Sequence, residues 1–372
     1  MNASVSDEQH LRHHHFRTVS QKDWSNWKWQ LKNRFKSLDE LPDIKLIREL
    51  IHSELINQPE FPPFAITPYY YSLLLNNTKN NLLKSVIPDC KESDIAEYEL
   101  SDPLLEEKAQ KNSCIIHRYP NRVLFLTTQN CAVYCRYCTR SRLAGNHKQI
   151  INPEDWIAGF EYIKNHKEIQ EVIISGGDPL YLSDDKIEFI LSELSKISHV
   201  NLVRLGTKAP VVLPQRITDN LVNILKRFQP LYICLHIIHP DELTVASTDG
   251  LKRLIDAGCV VLSQTVLLKE INDQGVIMSH LMNQLLHHRI RPYALFHCDL
   301  IRGSRVFRTT INKGIEIIRY LREHASGLGV PHYIIDPPGG KVTIAPDNII
   351  RKEANGYILK NWEGKKVFFP DG

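Results

Sequence analysis

The chain has 372 residues, 42% hydrophobic and 24% charged, a balance that fits a globular enzyme and excludes a disordered or fibrous chain. Its 46 Lys and Arg against 42 Asp and Glu leave a formal charge of +4, too small a surplus to drive binding to nucleic acid or a membrane surface. No apolar run approaches the roughly 18 residues a bilayer span needs, and the opening MNASVSDEQHLRHHHF has no apolar segment of the kind a cleaved signal peptide carries. His13, His14 and His15 sit in that polar stretch and read as solvated side chains.

Residues 1–112 read as a helical N-terminal extension, with Trp24, Trp27 and Trp29 close together and apolar residues at helical spacing in SLDELPDIKLIRELIHSELI. From residue 113 the texture changes. Short β-branched runs (RVLFLTT, EVIIS, NLVRLG, LYICLH, VVLSQTVLL, PYALFH, HYIID) alternate with amphipathic stretches such as DDKIEFILSELSKI and NKGIEIIRYLREHA. Strand–helix alternation predicts a parallel sheet of βα units. Six or seven units with no GxGxxG point to an α/β fold of the partial (β/α) barrel type over 113–345 rather than a doubly wound sheet. Polar and glycine residues follow the strands (CAVYCRYC, GGD, GTK, HIIHP, HCDL, DPPGGK), where barrels carry their active sites. Residues 346–372 form a tail, and YILKNWEGKKVFF predicts a hairpin around Glu363-Gly364.

Eight cysteines are too sparse for a disulfide scaffold in a chain this long. Cys90, Cys114, Cys234, Cys259 and Cys298 stand singly and read as small buried hydrophobes. Cys131, Cys135 and Cys138 form C-x3-C-x2-C, a pattern that independent placement would produce roughly 0.004 times. Zinc would want a fourth ligand from a second pair, and Cys114, the nearest candidate, precedes the first strand. Three thiolates on one loop suit a [4Fe-4S] cluster with one iron left open to a small molecule. Gly176 and Gly177, at a strand end, let backbone approach a ligand closely. Lys341 follows a glycine turn that could cradle a phosphate while presenting an amine, as a Schiff-base lysine does.

The triplet after a first barrel strand resembles the radical S-adenosylmethionine superfamily. The ordered set HRYPNRVLFLTTQNCAVYCRYCTRSRLAG, SGGDPL, GTKAPVVLPQRIT, CDL and DPPGGK resembles the lysine 2,3-aminomutase family within it, over most of the chain from the tryptophan segment to NWEG. The resemblance implies that Cys131, Cys135 and Cys138 hold the cluster and that the reduced cluster cleaves S-adenosylmethionine to a 5′-deoxyadenosyl radical. It implies that Gly176, Gly177, His236 and Gln264 line S-adenosylmethionine. Lys341 would form the Schiff base with pyridoxal 5′-phosphate, with Arg118, Arg122, Gly339 and Gly340 about the phosphate and Tyr119 near the ring. Arg140 would clamp the substrate α-carboxylate, and Asp299 and Asp336 the distal ammonium of lysine.

The implied activity is isomerisation of L-lysine to L-β-lysine in the cytoplasm, with an external donor such as flavodoxin or ferredoxin, and with no nucleic-acid or membrane partner. Two features depart from the family pattern. The turn before Lys341 has fewer glycines than is common, implying a reshaped phosphate loop. Gln274 stands where clostridial-type members place a cysteine of a structural zinc site, and no cysteine follows Cys298, so a homo-oligomer is expected without a zinc link. Competing readings are the same reaction on arginine or glutamate, the variant that supplies β-lysine to elongation factor P, a radical enzyme without the aldehyde cofactor, and a non-catalytic zinc protein.

Overall fold

The computed structural model describes residues 12–51, 54–55, 62–76, 81–146, 150–337, 340–345, 349–354, 356–360 and 365–370. Nine strands follow one another in chain order across one sheet: β1 (Ile115–Tyr119), β2 (Arg122–Thr128), β3 (Glu171–Gly176), β4 (Leu202–Thr207), β5 (Leu231–His236), β6 (Val260–Leu267), β7 (Arg291–His297), β8 (His332–Ile335) and β9 (Val342–Ile344). Strands β2 to β8 are parallel, with β1 antiparallel at one edge and β9 at the other. Among the described residues the edge strands do not pair with each other, so the barrel is partial, as the alternating pattern predicts.

Helices α1 (Gln21–Trp24), α2 (Trp27–Lys32), α3 (Ile44–Ile51), α4 (Pro68–Asn76) and α5 (Glu106–Ala109) belong to the N-terminal segment. The crossovers are α6 (Pro153–Asn165), α7 (Asp184–Ser195), the short α8 (Ala209–Val212) with α9 (Asp219–Lys226), α10 (Val245–Asp256), α11 (Gly275–His287) and α12 (Ile311–His324). Their starts are set by local chemistry: the Thr218, Thr244 and Thr310 side chains accept N–H groups of the first turns of α9, α10 and α12. Their inward stripes, such as Leu221, Ile224 and Leu225 on α9, cover the sheet.

The N-terminal segment is less helical than its apolar spacing suggests, because its helices are short and separated by turns. It docks through buried polar contacts instead. The Gln30 amide donates to the Trp24 carbonyl and accepts the Tyr69 N–H, both at 2.9 Å, tying α2 to α4. Thr67 donates to the Val212 carbonyl at 2.8 Å, and fully buried Arg216 stacks on Trp27 at 4.5 Å. Phe16, Trp24, Ile47 and Tyr70 share one hydrophobic core with the barrel. The histidine run is not uniformly solvated: His13 is buried, held by Asp43 and packed edge-on against Tyr71.

The expected C-terminal hairpin is β11 (Gly356–Lys360) with β12 (Lys366–Pro370), and β10 (Ile349–Glu353) adds a third antiparallel strand that the sequence pattern did not indicate. Its Glu363-Gly364 turn lies outside the described residues.

Gly314 brings α12 onto β8. A Cβ there would overlap the phenol of Tyr333, whose hydroxyl is anchored 2.8 Å from Nδ1 of His297. Gly314→Ala should therefore cost about 1–3 kcal/mol through overpacking, read as a lower urea midpoint at unchanged slope.

Candidate active site at the C-terminal ends of the strands

The loop after β2 carries Cys131, Cys135 and Cys138, all partly buried. The N-terminal segment grips this loop: Tyr134 N–H donates to the Ala65 carbonyl at 3.2 Å, Arg136 N–H to the Ser85 carbonyl at 2.9 Å, and the Arg136 guanidinium to Glu92 at 2.7–3.1 Å. Arg34 donates to the Cys131 carbonyl.

Burial pushes all three thiols up, Cys138 to about 11 and Cys131 well above the ordinary range. A different cation opposes that effect at each: Arg34 at Cys131, Lys208 at Cys135 and Arg140 at Cys138. The thiols also interact electrostatically with one another, so they share one site.

Three thiols on one short loop are the donor set of an iron–sulfur cluster with one iron left open, and the residues present fit that group. Cys114 lies apart, its Sγ 3.0 Å from the Asp155 carbonyl.

Behind the loop is a buried network that the sequence reading did not identify. Lys208 Nζ is 2.6 Å from Oε1 of Glu242, which also accepts the Tyr70 hydroxyl at 2.7 Å. Oε2 of Glu242 accepts the Ile238 N–H at 2.7 Å. Burial opposes ionisation of Glu242, but Lys208 and these donors bring its pKa below the usual range. Asp178 accepts Thr207, Leu180, Lys208 and Ala209 at 2.7–3.0 Å, which fixes the GGD turn against β4. The GTK and HPDE stretches each follow a strand, and that position was the available signal. The pairing between them is long-range.

Gly176 has φ +128, and a Cβ on Gly176 or Gly177 would strike the Thr128 or Asn130 carbonyl. These glycines thus let the turn after β3 close on the start of the cysteine loop, through Gly177 N–H to the Thr128 carbonyl at 2.6 Å and Asp178 N–H to the Asn130 carbonyl at 2.9 Å. The close approach that the structure shows is to the protein's own backbone. His236 and Gln264 are paired neighbours on β5 and β6. The Tyr137 hydroxyl lies 2.8 Å from His236 Nε2, and burial, reinforced by Lys208, pushes His236 down to about 3, so it is neutral.

A second group forms at the β1 and β7–β9 end. Asp336 is buried and accepts Arg118 Nη1 at 2.9 Å and the Lys341 ammonium, while Arg118 Nη2 donates to the Pro337 carbonyl at 2.9 Å. Tyr119 accepts the Lys341 backbone N–H at 3.1 Å and lies under Arg122 at 4.0 Å. Lys341 Nζ sits 5.1 Å from the Phe296 ring centre, and Gly340 has φ +133. Gly339 lies outside the described residues. An amine, two guanidiniums and a phenol on one face fit a phosphorylated aromatic aldehyde in chemical kind.

Between the two groups lie Arg140 and Asp299. Buried Glu106, on α5, holds the Nε and Nη2 edge of Arg140 at 2.7–3.1 Å, a partner the sequence reading missed. Thr139 donates to Asp299 at 2.5 Å. Burial pushes Asp299 up to about 6, Asp336 adds to the rise, and Thr139, Lys341 and Arg140 oppose it.

A parallel partial barrel with three thiols on the loop after its first parallel strand is the architecture of a radical S-adenosylmethionine enzyme. A family model described as Radical SAM superfamily matches residues 125–280, and one described as Lysine-2,3-aminomutase matches residues 318–371. L-lysine 2,3-aminomutase of Methanococcus maripaludis is 42% identical over 92% of this chain and 80% of its own length. That of Clostridium subterminale is 41% identical over 95% and 86%. Glutamate 2,3-aminomutase of Clostridioides difficile is 37% identical over 95% and 84%. The chain belongs to the lysine 2,3-aminomutase family, and it is an isomerase with a [4Fe-4S] cluster and S-adenosylmethionine as cofactors.

Replacing Lys208 by Met should leave Glu242 buried without its counter-ion and cost about 3–5 kcal/mol, measured by urea unfolding under reducing conditions. Adding Glu242→Gln should recover much of that loss, because it removes the buried charge: the amide oxygen keeps the Ile238 N–H, and the Tyr70 hydroxyl turns to accept from the amide NH2.

Proposed function

We propose that the chain converts L-lysine to L-β-lysine and uses pyridoxal 5′-phosphate as a third cofactor. The observation that carries the reading is that one guanidinium, Arg140, and one half-buried carboxylate, Asp299, lie close enough to influence each other's ionisation. An α-amino acid with a distal ammonium offers the complementary pair of charges. A side-chain carboxylate, as in glutamate, would meet Asp299 as a like charge, which sets this chain against the substrate named for the Clostridioides difficile relative.

The cluster and S-adenosylmethionine supply a 5′-deoxyadenosyl radical. Bound pyridoxal phosphate would supply an aldehyde able to carry an amino group and a ring able to spread an unpaired electron. The chain's residues do the rest. Arg140, braced on one edge by Glu106, offers its other edge to the α-carboxylate. Asp299 receives the distal ammonium, which fixes how far along the substrate the Cβ hydrogen lies from Arg140. Arg118 and Arg122 provide phosphate charge, and Asp336 holds the proton-bearing Nζ of Lys341 in register. Neutral His236 adds no charge beside the cluster loop. An iron–sulfur cluster held by thiolates suits a reducing cytoplasm and a flavodoxin- or ferredoxin-type donor.

Anaerobically reconstituted protein given reductant, S-adenosylmethionine, pyridoxal phosphate and L-lysine should form β-lysine only when all four are present, read by mass-resolved chromatography. Lys341→Ala should still release 5′-deoxyadenosine but no β-lysine; unchanged turnover would remove Lys341 from its role. Deoxyadenosine without β-lysine from the unaltered chain would favour a radical enzyme lacking the aldehyde cofactor, a reading to which the short glycine turn lends support.

The elevated Asp299 adds a pH signature. Its ionised form binds the ammonium, so kcat/KM for lysine should fall about tenfold per pH unit below about 6. Asp299→Asn should raise KM roughly 10- to 100-fold, the loss of one hydrogen bond to a charged group, and should abolish that acid limb.

A further inference from the structure

The histidine run at the chain start has no part in the pocket, yet two of its members converge on one carboxylate from a distant stretch. His13 and His14 open a single helical turn, and Asp43 immediately precedes α3. His13 Nε2 lies 3.2 Å from Oδ2 of Asp43, and His14 Nε2 lies 3.9 Å from Oδ1, so the imidazoles address different oxygens. Their ring centres are 4.0 Å apart, tilted by 50°. The three donor atoms fall within 4.8 Å of one another.

The carboxylate is oriented from behind. The Tyr71 hydroxyl donates to Oδ2 at 2.9 Å while accepting the Asp43 backbone N–H at 3.2 Å, and Tyr71 is fully buried. Outer-shell hydrogen bonds of this kind hold ligating carboxylates in place in metal sites. Accessibility is graded: the side chain of His13 is 9% exposed, that of Asp43 20% and that of His14 63%. Two donors are thus fixed by the core, and the third stands at the solvent mouth.

Imidazole and carboxylate donors at bonds of about 2.0–2.2 Å in a tetrahedron lie roughly 3.3 Å apart. The His13–Asp43 distance already matches. His14 Nε2, 3.9 Å from Asp43, closes the remaining gap by rotation of its exposed side chain. Burial also pushes His13 down, keeping its lone pair available, with Asp43 opposing and His14, His15 and Arg17 reinforcing that shift.

We propose that His13, His14 and Asp43 bind one divalent transition-metal ion of the zinc class, separate from the cluster, which clasps the start of the chain to α3 and Tyr71 of α4. Water completes the coordination at the exposed side. Two histidines and one carboxylate suit zinc, nickel, cobalt or ferrous iron better than magnesium or calcium.

The test uses the full-length, tag-free protein with its iron–sulfur cluster reconstituted. It is equilibrated with zinc sulfate, gel-filtered, and assayed for zinc and iron beside His14→Gln and Asp43→Asn. The expected result is one zinc per chain more in the unaltered protein than in either variant, with equal iron in all three. Zinc should raise the melting temperature of the unaltered protein and leave that of His14→Gln unmoved. Equal zinc in the unaltered protein and His14→Gln would overturn the proposal and reduce the three residues to a hydrogen-bonded clasp. So would zinc uptake matched by loss of iron, which would locate the ion at the cysteines. His14 is solvent-facing, so its replacement tests binding without threatening the fold, whatever Asp43→Asn does.

Discussion

To hold a cluster, three thiols would have to ionise in a place where burial resists ionisation. Bound iron would drive off their protons, as metals do with coordinating cysteines, but the negative charge would then have to be stabilised by the protein. The chain meets that demand with one cation per thiol, drawn from three regions: Arg34 of the N-terminal segment, Lys208 after β4 and Arg140 beyond the loop itself. Two of these cations are themselves held by buried acids, Lys208 by Glu242 and Arg140 by Glu106. A buried unpaired ammonium would be nearly as unfavourable as a buried unpaired thiolate, so the network has to extend outward until it reaches neutral donors such as Tyr70 and backbone amides.

That requirement explains why the N-terminal segment is part of the catalytic unit. Short helices of four to nine residues have little stability of their own. They are ordered by what they grip: Arg34 on the Cys131 carbonyl, Glu92 on Arg136, Ala65 on Tyr134, and Tyr70 on Glu242. The cysteine loop has an apolar barrel on one side and this polar clamp on the other. Arg140 links the two halves of the site, since its charge serves both Cys138 and the pocket that holds Asp299.

Much of this was legible in the sequence where the signal is local. The cysteine spacing, the strand–helix alternation and the placement of polar residues after strands depend on neighbours a few positions apart, and the barrel and its cysteine loop follow from them. Glu106, Glu242 and Lys208 were hidden because their meaning lies in partners 34 residues away, and a charged residue after a strand reads as solvated until its counter-ion is located. His13 was misjudged for the same reason: polarity suggested solvent, but Asp43 and Tyr71 bury it. The glycines after β3 were visible as a demand for close approach. That they also let the turn after β3 close on the backbone at the start of the cysteine loop was not.

Asp336 and Asp299 show how one residue type divides two tasks by surroundings alone. Asp336 faces Arg118 and Lys341, and two cations satisfy it within the protein. Asp299 has a single neutral donor, Thr139, and burial leaves it near a pKa of about 6, a carboxylate that gains from any further cation brought to it. In the proposed reaction a substrate ammonium would supply that cation, and its binding would lower the pKa of Asp299 by the same free energy that it contributes to affinity. Selectivity for a basic amino acid would then follow from an acid the fold leaves incompletely compensated, without any requirement for a contact unique to lysine.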